Sequence, residues 1–326
     1  MPNPLLTFVV CAYNQEQFIR EAVEGALAQT YSPLEILLTD DCSPDRTFQI
    51  MQEMAAAYRG PHQVVLNRNP KNIGVGAHVN RLCELSKGEL IVCAGGDDIS
   101  FKERTERIYR AWEKSSRTAF SIYSNMIIID SSGAQKGIWN KGMAPIHVNS
   151  LSEAAHLGYS GVYGCTHAFH RKVFEVFGPL DESIIHEDVA IPFRSLFLGT
   201  IKYLEEPLVY YRRHGNNVWS DAIVHSLKKR RQILRSDQAY LLSWIRDLEK
   251  SRRLGILSEI ESEGLQEEII EHIRERSVEG QYYKRDVASA YFHLLARYFG
   301  WRNFRQFLSL SKRRWQSRSH SGDAGS

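Results

Sequence analysis

Over the first hundred positions, short unbroken apolar runs alternate with segments whose apolar residues recur every three or four positions. Leu6-Thr7-Phe8-Val9-Val10, Ile36-Leu37-Leu38-Thr39, Val64-Val65-Leu66 and Leu90-Ile91-Val92-Cys93 have the length and composition of strands buried on both faces. Helical spacing fills the gaps, from about Glu16 to Gln29, after Asp45 (Phe48, Ile50, Met51, Met54, Tyr58), and through Val79, Leu82 and Leu85. This order predicts an α/β fold with a mainly parallel, Rossmann-like sheet covered by helices. Such sheets take ligands beyond the carboxyl ends of their strands, so the residues after each strand carry the interest.

The pattern is less regular further on. Ala119–Tyr123 and Met126–Ile129 read as strands within a mixed stretch from Trp112 to Trp139. Lys141–Gly164 reads as a loop with one short helix. A strand through Thr166–Phe169, a helix after Asp188 and two short strands ending near Tyr211 come next. From about Ser220 to Leu310 the spacing is helical, and the polar stretch Ser317–Ser326 is expected to be disordered. No internal repeat is present.

Composition narrows the classes only modestly. The chain has 326 residues, 43% of them hydrophobic, and a formal net charge of +3, which points to no particular polyionic partner. Lys and Arg concentrate between His225 and Ser326. The five widely spaced cysteines form no C-x-x-C pair, which argues against a zinc knuckle or redox motif and fits a reducing, cytoplasmic setting. The apolar run Leu5–Cys11 has no preceding positive charge and is far shorter than the ~20 residues of a membrane span, so neither a signal peptide nor a transmembrane helix is expected.

Chemistry gathers at the strand ends. After the first strand stand Ala12, Tyr13 and Asn14, with Tyr13 offering a flat face for stacking a base or serving only as a rim aromatic. After the second come Asp40 and Asp41, one carboxylate more than capping of the next helix requires. After the fourth come Gly95-Gly96-Asp97-Asp98, where the glycines permit close backbone approach and the paired carboxylates call for a compensating cation. Mg²⁺ or Mn²⁺ shared with substrate phosphates would supply it.

In this order, Val10-Cys11-Ala12-Tyr13-Asn14, Thr39-Asp40-Asp41-Cys42-Ser43, Lys87-Gly88-Glu89 and Asp97-Asp98 resemble the family 2 glycosyltransferases of GT-A fold, over roughly Leu5 to Ser220. The resemblance implies an inverting transferase that moves a sugar from a nucleotide-diphosphate donor, by family habit a UDP-sugar, to an acceptor hydroxyl. Bacterial surface polysaccharide or glycolipid synthesis is the implied setting. It divides the chain into a catalytic domain over 1–220 (donor half about 1–115, acceptor half about 116–220), a helical region over 221–316 and a tail over 317–326. Carried over, Tyr13 stacks on the nucleobase and Asp41 bonds to it, flanked by Ala12 and Asn14. Asp97 lies near the ribose or donor sugar, and Asp98 ligates a Mn²⁺ or Mg²⁺ that bridges the diphosphate. Asn72 and Gly74 resemble the stretch before the donor-side helix, on which Arg81 contacts phosphate or sugar.

The segment His186-Glu187-Asp188 through Arg194 resembles the family's E-D-x-x-x-x-x-R, which makes Asp188 the general base. Two structural alternatives stand beside that role: first-turn helix acids, and a Glu187–Arg194 ion pair. Tyr210-Tyr211-Arg212-Arg213-His214 resembles the Y-R-x-H ending, which gives His214 to the metal shell and Arg212 to phosphate, with one of the two arginines turned to solvent. Tyr163, His167 and Glu187 are candidate acceptor contacts, as is Tyr159. Two departures bear on this: Ala12 stands where Pro is usual, and Cys42 where Gly is usual, so positive φ after Asp41 is expected to be disfavoured. The missing Q-x-x-R-W argues against a membrane polymerase.

Val287 to Tyr298 repeat apolar residues at helical spacing, and Trp301 to Arg318 interleave basic and aromatic residues. This suits either a helical appendage or peripheral contact with anionic lipid at the inner face of the cell membrane, with a glycan or lipid-linked glycan as acceptor. No G-x-G-x-x-G comes after the first strand, which argues against a nicotinamide enzyme, and nucleic-acid binding through the basic C-terminus, which needs no special motif, ranks low, so no nucleic-acid partner is expected. A non-catalytic, sugar-nucleotide-binding relative is the remaining alternative.

Overall fold

A computed structural model describes residues 2–139, 148–158, 161–215, 217 and 227–283. Tyr159, the basic aromatic segment beyond 287 and the tail over 317–326 lie outside the described residues.

The first four apolar runs form β1 (Leu6–Ala12), β2 (Leu34–Asp40), β3 (Gln63–Arg68) and β4 (Leu90–Gly95), all mutually parallel in the order β3-β2-β1-β4. β1 and β2 are buried almost throughout, which is why they read as continuous apolar runs, whereas β3 is the exposed edge and is apolar only at its centre. The helices between them are α1 (Ile19–Leu27), α2 (Thr47–Ala57) and α3 (Val75–Leu85). α1 buries Ile19, Ala22, Val23 and Ala26, the spacing of one helix face.

The sheet continues through β5 (Ile99–Ser100), β6 (Ala119–Asp130), β7 (Gln135–Ile138), β8 (Ala168–His170) and β9 (Thr200–Arg213). β8 pairs antiparallel with β4 and β6, whereas β6 and β9 run parallel. The two short strands expected in the 119–129 stretch are one strand, β6, and the two ending near Tyr211 are likewise one, β9. Register shifts near Ser124 to Met126 explain both apparent breaks, because a bulge interrupts the alternation without ending the pairing. The residues leading up to Trp112, for which the pattern predicts no element, form α4 (Arg104–Lys114), which buries Thr105, Ile108, Tyr109 and Trp112 on one face.

Beyond these lie α5 (Leu151–Leu157), α6 (Lys172–Phe177), α7 (Glu187–Leu198), α8 (Leu227–Arg253) and α9 (Glu259–Tyr283). Residues up to Ile273 make one compact unit and Arg274–Ser326 a second. The division expected at residue 220 therefore falls inside the first unit. α8 joins it through Trp244, whose ring stacks on Phe193 of α7 at 3.9 Å between centroids. No described helix is long and apolar enough to cross a membrane.

Candidate active site

The carboxyl ends of β1, β2 and β4 open into a cleft of about 1930 Å³. Ala12, Tyr13 and Asn14 line it, and Tyr13 is 48% exposed, a free aromatic face at the mouth. The β1 and β2 turns are tied together, since Asn14 N–H donates to Ser43 Oγ (2.8 Å) and Asp41 N–H to Ala12 O (2.9 Å). Cys42 takes φ 62° despite its side chain. Its neighbours over-determine the turn: the Asp40 carboxylate accepts from both Ser43 N–H (2.9 Å) and Ser43 Oγ–H, and Arg68 lies 3.4 Å away. The missing glycine therefore does not forbid the conformation.

Asp41 lines the cleft and is only 3% exposed. Its Oδ1 accepts from Asn69 Nδ2 (2.8 Å) and Ile73 N–H (3.0 Å), and its Oδ2 from Gly74 N–H (2.9 Å). Asp41 thus holds the Asn72–Gly74 stretch against the cleft. Gly74, at φ 82°, leads into α3, which turns His78, Val79 and Leu82 inward. Arg81 falls on the other face, pairs with Glu84 (3.0 Å) and does not line the cleft, which corrects its assignment to phosphate or sugar. Asn80 instead bridges to Leu180 in both directions (2.9 and 2.7 Å), tying α3 to the segment before α7.

At the end of β4, a Cβ on Gly96 would stand 2.3 Å from Gln15 Oε1 and 2.8 Å from the Ala12 Cβ, so only glycine lets the Asp97-Asp98 turn sit against β1. Both carboxylates line the cleft. Asp97 Oδ2 lies 3.0 Å from His214 Nε2, and Asp98 Oδ1 accepts from Arg212 N–H (2.9 Å). Burial, then the Asp97 charge beside it, push the Asp98 carboxyl well above the usual range. No three His, Cys, Asp or Glu side chains among the described residues form a cage that would hold a metal unaided. Asp97 and Asp98 put two carboxylates at the cleft, too few to hold a cation without oxygen ligands from a bound phosphate.

Arg212, expected at phosphate, lies behind the turn at 1% exposure. Its Nε donates to Asp97 O (2.9 Å), its Nη2 to Glu21 (2.8 Å), and its guanidinium sits 4.9 Å over Phe18. It is a brace. Arg213, next along β9, lines the cleft with its guanidinium 5.3 Å over Trp139. Strand alternation separates the two, and which of them faces the cleft is decided by the register of β9 on β6.

Across the cleft, α7 starts with Glu187 and Asp188. Asp188 Oδ2 accepts from Gly164 N–H (3.0 Å). A Cβ on Gly164 would meet Glu187 Oε1 at 2.7 Å, so any larger residue there turns the Glu187 carboxylate aside. Burial, then the Asp188 charge, raise Glu187 to about 8. Asp188 is also raised by burial, but His186 and the Gly164 N–H pull the other way. Both carboxyls of this buried pair are thus pushed up, and only Asp188 has groups beside it that oppose the shift. His186 is held from behind by α8, its Nδ1 lying 3.1 Å from both Asp237 Oδ1 and Ser236 Oγ. Arg194 does not pair with Glu187: it bonds Asp247 of α8 (2.8 Å) and Gly178 O (2.8 Å).

Tyr163 lines the cleft, edge-on to Trp139 at 5.8 Å. His167 also reaches the cleft, but at 2% exposure its Nε2 is spent on Ser121 Oγ (2.9 Å), and burial holds it down at about 3, hence neutral. His170 goes elsewhere, to Lys172 N–H (3.1 Å) and Glu89 (3.6 Å), so the His167-x-x-His170 spacing makes no metal site.

The profile of glycosyl transferase family 2 matches residues 7–177, and the chain belongs to that family. An uncharacterised glycosyltransferase of Nostoc sp. is 25% identical over 219 residues, 65% of this chain and 66% of that protein. One from Haemophilus influenzae is 28% identical over 255 residues, 74% of this chain and 76% of that protein. The chain spans less than two thirds of the Nostoc relative and 61% of a Mycobacterium tuberculosis one. Staphylococcus aureus TarS 1-349, solved with UDP-GlcNAc, shares the fold at TM-score 0.53 and 14% identity, over 83% of this chain and 81% of that one. The mannosyltransferase PcManGT of Pyrobaculum calidifontis, solved with GDP-Man and Mn²⁺, does so at TM-score 0.54 and 14% identity, over 94% of this chain and 84% of that one. The fold is that of the GT-A glycosyltransferases.

Proposed function

We propose that this protein is an inverting glycosyltransferase in which Asp188 takes the proton from an acceptor hydroxyl as that oxygen attacks the anomeric carbon of a nucleotide-diphosphate sugar. The observation that carries this reading is the pair at the start of α7. Glu187 and Asp188 stand side by side at the helix start, Asp188 held by the Gly164 N–H at 3.0 Å, and both open onto the cleft bearing Tyr13, Asp97 and Asp98.

On this reading Tyr13 stacks on the base and Asp41 receives a base N–H, with Ala12 and Asn14 shaping the pocket. Arg213, in place of Arg212, faces the diphosphate. Asp98, with Asp97 and His214, would hold Mn²⁺ or Mg²⁺, whose charge offsets the negative charge gathering on the departing nucleotide. The Gly164 N–H aims Asp188 and, with His186, opposes the upward pull of burial on its carboxyl, which favours the ionised form that a general base needs. One base and one displacement invert the anomeric centre, and no carboxylate nucleophile is required. The donor is a UDP-sugar, and the acceptor a glycan or lipid-linked glycan of bacterial surface polysaccharide or glycolipid synthesis in the cytoplasm.

A panel of nucleotide-sugars with Mn²⁺ and then EDTA, scored by nucleotide release, tests the class. One donor should release nucleotide only with metal, and Asp188→Asn should lower turnover about 10²- to 10⁴-fold with donor affinity intact. Retained anomeric configuration, or normal turnover by Asp188→Asn, would refute the mechanism. Binding without turnover in the wild type would favour a non-catalytic sugar-nucleotide binder.

A further inference from the structure

The cleft has a third wall that the proposed chemistry does not use. Arg231, Gln232 and Arg235 of α8 line it beside Glu182 and Ser183. The two arginines are four residues apart, on one helix face, and both are exposed. Neither has an ion pair or hydrogen bond among the described residues, unlike Arg194 and Arg212, whose guanidiniums are fully engaged.

Their position is set by the next two residues of the same helix. Ser236 accepts from Ile185 N–H (2.8 Å), and Asp237 faces His186 (3.1 Å). These bonds fasten the Arg235 turn to the two residues before Glu187 and Asp188. The donor-side groups come from the ends of β1, β2, β4 and β9, whereas these arginines come from a helix packed on α7. A ligand group on Arg231 and Arg235 therefore approaches Asp188 from the α7–α8 side.

Resting on the transferase reading, we infer that Arg231 and Arg235 recognise an oxyanion on the acceptor, a phosphate or diphosphate ester close to the hydroxyl that is glycosylated. Two planar guanidiniums, each presenting paired N–H donors, match a multiply charged phosphate group better than the single charge of a carboxylate. A wholly neutral glycan would leave both cations unused. The phosphate belongs either to a soluble sugar phosphate or to the diphosphate of a lipid-linked sugar, and the chemistry at the arginines is the same.

The full chain, saturated with the nucleoside diphosphate it binds best so that the donor side is filled, is titrated calorimetrically with glucose, glucose 1-phosphate and a short-chain prenyl diphosphate glucose. Glucose 1-phosphate should bind at least about tenfold more tightly than glucose. The Arg231→Ala/Arg235→Ala double variant should erase that difference, while Arg213→Ala keeps it. Tighter binding of the prenyl diphosphate assigns a lipid-linked source, and equal binding a soluble one; either supports the site. Equal affinity for glucose and glucose 1-phosphate overturns it. So does a difference that survives in the double variant or vanishes in Arg213→Ala, which would return the anion to the donor side. If no nucleoside diphosphate binds, the transferase reading fails by itself, and the same comparison without nucleotide still judges the arginines.

Discussion

Glu187 and Asp188 share one site with unequal environments, and this has consequences for stability as well as for chemistry. A carboxyl near 4.3 in the unfolded chain and about 8 when folded keeps its proton in the native state alone. Native protein then binds more protons than unfolded protein between those values, so stability falls as pH rises through that window and stays low above it. Glu187→Gln should remove this loss: thermal midpoints of wild type and variant should agree near pH 4 and diverge by pH 9, with the variant higher. A wild type equally stable at both ends relative to the variant would show that Glu187 titrates normally. The two adjacent arginines give a second contrast. Arg212→Ala should lower stability by about 2 kcal/mol or more, because it takes the donor from the Asp97 carbonyl and empties the buried space over Phe18. Arg213→Ala should leave the denaturation midpoint in place and weaken donor binding by roughly 10- to 100-fold. From residue types alone Arg212 and Arg213 were indistinguishable, whereas Tyr13, Asp97 and Asp98 were legible because they come directly after apolar strands.

Among the elements, α7 and the 3₁₀ turn at Gly164–Thr166 are joined by the Gly164 N–H on Asp188. Gly164→Ala puts a methyl 2.7 Å from Glu187 Oε1, and backbone or carboxylate has to move. The expected result is a loss of about 1–3 kcal/mol in denaturant unfolding and a lower turnover with donor affinity unchanged. A turnover equal to wild type would mean that Asp188 needs no support from this turn. Asp237→Ala should likewise lower turnover without affecting donor affinity, since it removes the charged one of the two α8 partners of His186. Neither Gly164 nor Asp237 stands in a recognisable motif, and no local signal marks them. The element types themselves were readable for β1 to β4 and α1 to α3, where periodicity is clean. They were misread for β6 and β9, where bulges mimic strand ends, and α4 was missed in a stretch rich in charge.

For the molecule as a whole, α8 belongs to the unit that carries the cleft. Arg194 and Asp247 are both almost fully buried and bonded at 2.8 Å, and Trp244 is wholly enclosed. Arg194→Ala should cost about 3–5 kcal/mol by leaving Asp247 buried without its cation, measured as a shift of the urea midpoint. The chain cut after residue 220 should fail to give a cooperative transition, whereas a cut after 273 should keep one. A cooperative fragment ending at 220 would contradict the role given to α8. Local pattern alone determined the parallel α/β half, the strand ends that bear chemistry and the family, because strand burial and strand-end ligation are written in contiguous residues. Tertiary structure alone decided which arginine faces the cleft, that the Glu187 and Asp188 carboxyls are pushed up by burial, and that α8 lines the cleft. Those properties depend on burial and on pairings across many residues, such as Arg194 with Asp247 and His186 with Asp237, and sequence spacing does not encode them.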